Sequence, residues 1–401
     1  MIKKSATNNI FLLYLIKFAK WFMLFMPIIV VFFQNNGLEM RHIFLLKAIN
    51  AVTVVVLEIP SGYMADVLGR RKTLILGTLL NFGGFIAYSV AHGFGGFVIA
   101  ELMIGISMSF ISGADSAMLF DTLKSAKRTG EYAKLEGRIT ALGNFSEAAA
   151  GIVGGFLAGI SLRLPFEIQA IVAFIGVPAA ILLWEPKLSA HVQKASMLAI
   201  FRTMRYALVE NPMLRTYILF SSFAGMTSLT LAWFVQPFFK SIDLPLEWFG
   251  ILWTALNLSV GITAMLAYKA EKAIPANIIL IFVALFTGGG FMLLGFTAGL
   301  WGIAVLFGIY LVRGMATPIL KDYINRNTES HIRATVLSVR SFIIRIGFAV
   351  ISPFLGWYTD HYDLQDALKI AGAIFTIGML VSTLMHRKLT KHLNTTIHRV
   401  D

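Results

Sequence analysis

The sequence contains no cysteine, which excludes disulfides, cysteine-bound zinc and iron–sulfur clusters. Charge is scarce as well. Only 14% of residues are Asp, Glu, Lys or Arg, against about 25% in an ordinary soluble domain. There is no Gly-rich phosphate loop of the Walker kind, so the chain brings no nucleotide-driven motor of its own. His, Asp and Glu do not gather at metal-ligand spacing, and no nucleophile–base pair stands out. The eight histidines are dispersed, with His331 and His361 near the ends of apolar segments. A cofactor-free protein that is not an enzyme is expected.

Apolar residues fill the gap. The 401 residues are 57% hydrophobic, with a mean hydropathy of +0.75. A soluble chain of this length cannot hide that much apolar surface in one core, so the surplus must face lipid. Twelve runs are long enough to cross roughly 30 Å of hydrocarbon. They lie at approximately 11–34, 41–64, 73–92, 95–121, 133–160, 164–185, 213–239, 247–268, 274–296, 299–321, 334–358 and 364–386. The first follows Lys3 and Lys4 and is too long for the core of a signal peptide, so it is expected to remain as the first membrane helix. Most links are very short, which makes sequential neighbours antiparallel. One link is different: 186–211 turns polar and basic and divides the runs six and six. The sequence therefore predicts an all-α, polytopic membrane protein of twelve transmembrane helices. It is organised as a bundle over 1–185, a cytoplasmic linker over 186–211, and a second bundle with its tail over 212–401.

The net charge of +13 points to nucleic acid only if the positions of the charges are ignored. With the N-terminus inside, the basic residues Arg70, Arg71, Lys72, Lys124, Lys127, Arg128, Lys187, Lys194, Lys269, Lys272, Arg326, Arg333, Arg387, Lys388 and Arg399 all fall on one side. The other side offers little beyond Arg41, Arg163 and Lys240. Cytoplasmic loops of membrane proteins carry such an excess, so both termini are expected in the cytoplasm and the expected partners are lipid headgroups. In the central link, His191, Arg202 and Arg205 read as an amphipathic helix on anionic headgroups or as a regulatory site.

Between the second and third runs the chain reads Gly62-Tyr-Met-Ala-Asp66-Val-Leu-Gly69-Arg70-Arg71-Lys72-Thr73. Gly62 and Gly69 permit close backbone approach and a tight turn. Asp66 is placed to accept from a helix N-terminus or to pair with Arg. This stretch resembles the loop signature of the major facilitator superfamily, in which it latches the cytoplasmic helix ends of the outward-open state. Glu58-Ile59-Pro60-Ser61 before it is similar to a subset of bacterial members. The link between the eighth and ninth runs, Tyr268 to Pro275, has no such spacing. In the fifth run, Ser146-Glu147-Ala148-Ala149-Ala150-Gly151-Ile152-Val153-Gly154-Gly155 reads first as close helix packing. It also resembles the Gly-Pro-x-x-Gly-Gly signature of proton-coupled exporters, with Ala150 and Gly151 where Gly and Pro stand in the family. Glu101 occupies a place where exporters of that group carry Arg.

Ionisable groups at membrane depth usually face a cavity or a partner. Lys17 and Lys20 share a face of the first run, and Lys47 and Glu58 are on the second. Lys17, Lys20 and Glu58 read as an ion pair between the first two helices, as solute contacts, or as snorkelling groups. Glu101 and Asp115 lie about 40° apart around the fourth run. Asp115, in the small polar patch Ser112 to Ser116, leads the proton-coupling candidates with Glu147, and Glu101 follows. Arg313 lies in the tenth run. Arg340 and Arg345 lie about 9 and 16 Å into the eleventh, as contacts for an anionic solute or partners of Asp115 or Glu147. Trp21 and Trp233 either face lipid or line a site for an apolar ring.

The resemblance implies two six-helix bundles around a central cavity, working by alternating access as a monomer in the bacterial inner membrane. The expected cargo is a small molecule moved together with protons. Efflux of a drug or amphipathic compound is the first reading. Transport of a specific anionic metabolite or siderophore is the second, and a non-transporting receptor the third.

Overall fold

Backbone N–H and C=O groups in hydrocarbon have no water to bind, so each segment must satisfy its own. The computed structural model meets this demand with helices alone. It describes residues 2–186, 197–297, 299–329 and 332–397, and among these there is no strand. Contacts divide the chain into two units, Met1–Lys194 with Leu244–Thr254, and Ala195–Asp243 with Ala255–Asp401.

The first unit contains α1 (Ile2–Trp21), α2 (Ile29–Asn35), α3 (Met40–Val67), α4 (Arg70–Val90), α5 (Gly93–Ser125), α6 (Tyr132–Ile160) and α7 (Leu164–Leu182). Here α4 packs on α5 and α7, α3 on α5, and α1 on α6 and α7. The second unit contains α8 (Met197–Arg205), α9 (Pro212–Ser241), most of α10 (Leu246–Ala273), α11 (Ala276–Val283), α12 (Gly290–Leu294), α13 (Trp301–Arg326), α14 (Arg333–His361) and α15 (Leu364–Ile397). There α9 packs on α13, α14 and α15.

Among the described residues, ten helical segments are long and apolar enough to cross a membrane. The two of the twelve expected runs not among them are those of α1 and α6. Helix α1 stops at Trp21 and carries Lys17 and Lys20, and α6 carries Lys134, Glu136, Arg138 and Glu147 among many small residues.

Two expected spans are interrupted. The run at 11–34 is not one helix, because α1 stops at Trp21 and α2 begins at Ile29. Pro27 donates no N–H and pushes the residue before it away from helical geometry. The break is held from outside: Leu24 N donates to the buried Gln169 Oε1 at 2.9 Å. The run at 274–296 unwinds into a π-helical turn over Ala284–Gly289, between α11 and α12. Of the anticipated linker, 187–196, with Lys187, His191 and Lys194, lies outside the described residues, as do His331 and Arg399. After α8, with Arg202 and Arg205 exposed, Asn211 Oδ1 accepts from Leu214 N at 3.0 Å and caps α9, with Pro212 in the first turn where a missing N–H costs nothing.

The core of the first unit is aromatic. Phe32 lies 4.1 Å from Phe166 and Phe33 lies 5.0 Å from Phe97, ring centroid to centroid, with Phe25, Phe85 and Tyr88 around them. The small residues of α6 have a specific use. A Cβ on Gly154 would lie 1.8 Å from the Leu24 carbonyl oxygen, and one on Gly155 would lie 3.0 Å from Gly250 backbone atoms. The glycine stripe thus seats α6 against the α1–α2 break and against the first-unit part of α10. Gly154→Ala is expected to lower the apparent Tm of the purified protein by an amount corresponding to about 1–3 kcal/mol. Gly137→Ala, on the same helix with open space around it, is expected to leave Tm unchanged or raise it slightly. Equal effects at the two positions would refute the seam.

Candidate functional site

The signature loop is built from its two ends. Gly69 takes φ +93°, a conformation open to glycine at no steric cost, and turns the chain from α3 into α4. The exposed N-terminus of α4 is then capped by a residue that sequence reasoning did not single out. Glu185, just beyond α7, accepts from Arg70 N at 3.0 Å and Arg71 N at 2.6 Å, a carboxylate on a helix N-terminus. Arg70 donates to the Ala117 carbonyl at 2.5 Å and pairs with Asp121 on α5. Arg71 donates to the Ile181 carbonyl at 2.5 Å. Asp66 is only 4.0 Å from Arg70, and its side chain is 44% exposed. Of the two roles open to Asp66, this unit gives it the long pair with Arg70 and gives the cap on α4 to Glu185. Gly62 has no neighbour within 4 Å of an added Cβ among the described residues. Close backbone approach at this stretch comes from Gly113 on α5, whose added Cβ would lie 3.2 Å from Ser61 Oγ and 3.6 Å from Gly62 N. Lys72 is exposed. The corresponding end of the second unit has a different device: Arg326 pairs with Glu271 at 2.8 Å and with Asp322 at 2.7 Å.

Asp115 faces α1 and α6. Its Oδ2 lies 3.9 Å from Lys17 Nζ, and its Oδ1 accepts from Ser116 N at 2.7 Å. Ser116 Oγ donates to Glu136 Oε1 at 2.9 Å. Lys17, Asp115, Ser116 and Glu136 line a cavity of about 10 Å³ closed by Leu13, Ile16 and Ile139, room for about one water. Glu136 was missed because it sits one turn into α6, where a charge reads as a helix end. Lys17 Nζ also lies 5.6 Å from the Trp21 ring, which packs on Gly143, and the buried Trp21 Nε1 has no hydrogen-bond partner. Helical spacing places Glu147 between Gly143 and Gly151 on the same α6 face. Lys20 is half-buried and Glu58 exposed; the Glu58 backbone carbonyl accepts from Ser61 Oγ at 3.0 Å.

Glu101 occupies a different setting. It is buried, paired with Lys47, and accepts from Tyr88 OH, while Lys47 Nζ lies 5.0 Å from the Phe33 ring. Asn50 Nδ2 adds a bond to the Glu101 backbone carbonyl at 3.1 Å. The charge is matched inside the aromatic core, an arrangement suited to holding α3, α4 and α5 together.

In the second unit, Arg313 and Arg340 line one cavity of about 120 Å³ with Ala224, Gly225, Ser228, Thr287, Ala316, Thr317 and Leu320. Arg340 Nε donates to Ser221 Oγ, and the Arg313 guanidinium carbon lies 5.1 Å from the Tyr310 ring centroid. Neither arginine has a carboxylate within ion-pair distance among the described residues. Arg345 lies about 140° round α14 from Arg340 and is not part of this lining. Trp233 is half-buried on α9. The structure thus brings Arg340 together with Arg313, a pairing across two helices that no local spacing reveals.

A multi-pass helical membrane protein with charged groups gathered at internal cavities has the build of a solute transporter. The chain belongs to the Major Facilitator Superfamily, whose family profile matches residues 10–352. It is 22% identical over 322 residues to the quinolone resistance protein NorA of Staphylococcus aureus, covering 79% of each chain. It is 19% identical over 356 residues to an uncharacterised MFS-type transporter of Methanocaldococcus jannaschii, covering 88% of this chain and 90% of that one. Among solved structures, the nucleoside transporter NupG superposes with a TM-score of 0.77 at 15% identity, over 95% of this chain and 98% of that one. A peptide transporter POT in complex with sulfate superposes with a TM-score of 0.72 at 15% identity, over 97% and 98%. The chain is a transporter and not an enzyme.

Two stability outcomes follow from these charges. Lys47→Met strands the Glu101 carboxylate and is expected to cost about 3–5 kcal/mol, whereas Lys47→Met with Glu101→Gln recovers more than half of that loss. A double variant no more stable than the single one would show that the pair is not the anchor. Glu185→Gln is expected to lower Tm by an amount equivalent to about 1 kcal/mol and to speed hydrogen exchange at Arg70 and Arg71; unchanged exchange would remove Glu185 as the cap.

Proposed function

We propose that this chain is a proton-coupled secondary transporter that exports a small amphipathic compound by alternating access. In this reading its twelve spans form two six-helix bundles in the bacterial inner membrane, with both termini in the cytoplasm. The observation that carries the reading is the group of Lys17, Asp115 and Glu136 around one small cavity. Asp115 has Lys17 as a single, loose cationic partner there, and Ser116 ties the second carboxylate, Glu136, to the same cavity. The Lys17–Asp115 pair is at the long end of ion-pair distance, at 3.9 Å, loose enough for a proton to replace the lysine as the partner of the carboxylate. Protonation of Asp115 would release Lys17 toward Glu136 or Trp21, a local change of charge of the kind that biases a two-state element. Glu101, tied to Lys47 and Tyr88, is less suited to this role. Glu147 remains the second carrier. Similarity to a protein named for quinolone resistance supports export. Transport of an anionic metabolite is the second reading, favoured by the cavity of Arg313 and Arg340.

Everted membrane vesicles with a respiration-generated pH gradient test the coupling. Addition of a quinolone, or of other amphipathic compounds from a panel, is expected to dissipate the gradient in vesicles containing the wild-type protein. Asp115→Asn should abolish at least nine-tenths of that signal, and Glu136→Gln should shift its pH dependence, at equal protein levels. Dissipation that survives both substitutions would exclude this cluster as the proton carrier.

A further inference from the structure

Arg313 and Arg340 are half-buried cations of the second unit that have no carboxylate within ion-pair distance among the described residues. Arg313 stands at the middle of Trp301–Arg326, roughly 18 Å of helix from either end, too deep to reach a headgroup layer. Arg340 stands about 10 Å into Arg333–His361. Both point into the same cavity of about 120 Å³, and no carboxylate lines it. Lys321 lies close enough to Arg340 to add to the positive potential.

The rest of the lining explains how the site is held. Ser221 accepts from Arg340 Nε and sets the plane of the guanidinium, leaving its two terminal nitrogens without a hydrogen-bond acceptor among the described residues. Thr287 comes from the π-helical turn Ala284–Gly289, a distortion that often marks functional positions in helices. Ser228, Thr287 and Thr317 each donate to a carbonyl of their own helix, at 3.0, 2.6 and 3.2 Å, so the guanidinium groups are the donors available to a guest. The planar fork of arginine matches a carboxylate or phosphate bidentately. The volume is well below the roughly 300–1,000 Å³ of a drug-sized pocket, so it suits an oxyanion group and not a whole amphipathic molecule.

We propose that this cavity seats the oxyanion group, carboxylate or phosphate, of the transported solute, making the cargo an acidic or zwitterionic amphiphile. The inference rests on the transporter reading for its purpose, but the binding it requires needs neither a gradient nor a flux.

The test uses the full-length protein in an uncharged detergent, titrated with benzoate, phenyl phosphate and the cation benzyltrimethylammonium, read by calorimetry and thermal shift. Both anions are expected to bind and the cation is not. Arg313→Gln and Arg340→Gln should each weaken anion binding at least tenfold. Thr317→Glu, which supplies a counter-charge from the lining, should abolish anion binding while preserving or raising Tm, which separates loss of the site from loss of the fold. Anion affinity unchanged in both arginine variants, or binding of the cation alone, would overturn the proposal. Nanodiscs distinguish the source of the oxyanion. If phosphatidylglycerol blocks benzoate and phosphatidylcholine does not, the occupant is a lipid headgroup and the assignment to the solute fails. Equal binding in both lipids supports it. A protein that binds these anions but fails the vesicle assay would refute proton coupling and leave the oxyanion site standing.

Discussion

A charged side chain in hydrocarbon must be met by another charge, by a cavity or by a guest, because stranding it costs at least about 2.5–3.5 kcal/mol. This structure meets that demand in three degrees. Lys47 and Glu101 are fully matched, with Tyr88 and the Phe33 ring completing the shell. Lys17 and Asp115 are loosely matched, with Glu136 held by Ser116 beside the same water-sized cavity. Arg313 and Arg340 have a cavity and no acid. A matched pair stabilises one arrangement and resists change. A loosely matched group is freer to exchange partners, and an unmatched pair of cations leaves donors open. The same electrostatic rule thus separates a structural anchor from the sites proposed for a proton and for a solute oxyanion.

The second constraint is the satisfaction of backbone groups where helices are broken. The α1–α2 interruption exposes amides at membrane depth, and Gln169 takes up that of Leu24. Gly154 lets α6 close on the same segment, so the stripe of small residues and the break are complementary parts of one seam. The π-helical turn in the second unit is used differently, delivering Thr287 to the cavity wall. At the basic end of the first unit, Glu185 and Asp121 hold the signature loop to α5 and α7. Asp66 is left half-exposed by this arrangement.

Much of the architecture was legible in the residue order. Runs of twenty or more apolar residues, the near absence of charge within them, and the loop from Gly62 to Lys72 are local signals, and they sufficed for an all-helical membrane protein of the Major Facilitator Superfamily. The ionisable residues at membrane depth were also visible, because any charge inside such a run is conspicuous. Their pairings were not. Asp115 and Glu136 are twenty-one positions apart and meet only because α5 and α6 pack side by side, and Lys17 reaches them from a third helix. Glu185 and Gln169 look like ordinary polar residues until the helix ends they serve are brought to them. Arg313 and Arg340 acquire a common cavity only through the packing of α9, α13 and α14. By itself the sequence determined that this is a multi-pass membrane protein and which charges its apolar runs carry, since partition between water and lipid depends on composition over about twenty residues. Only the tertiary structure decided which of those charges are neutralised and which stand open to a guest, since electrostatic matching depends on distances of a few ångströms between helices far apart in the chain.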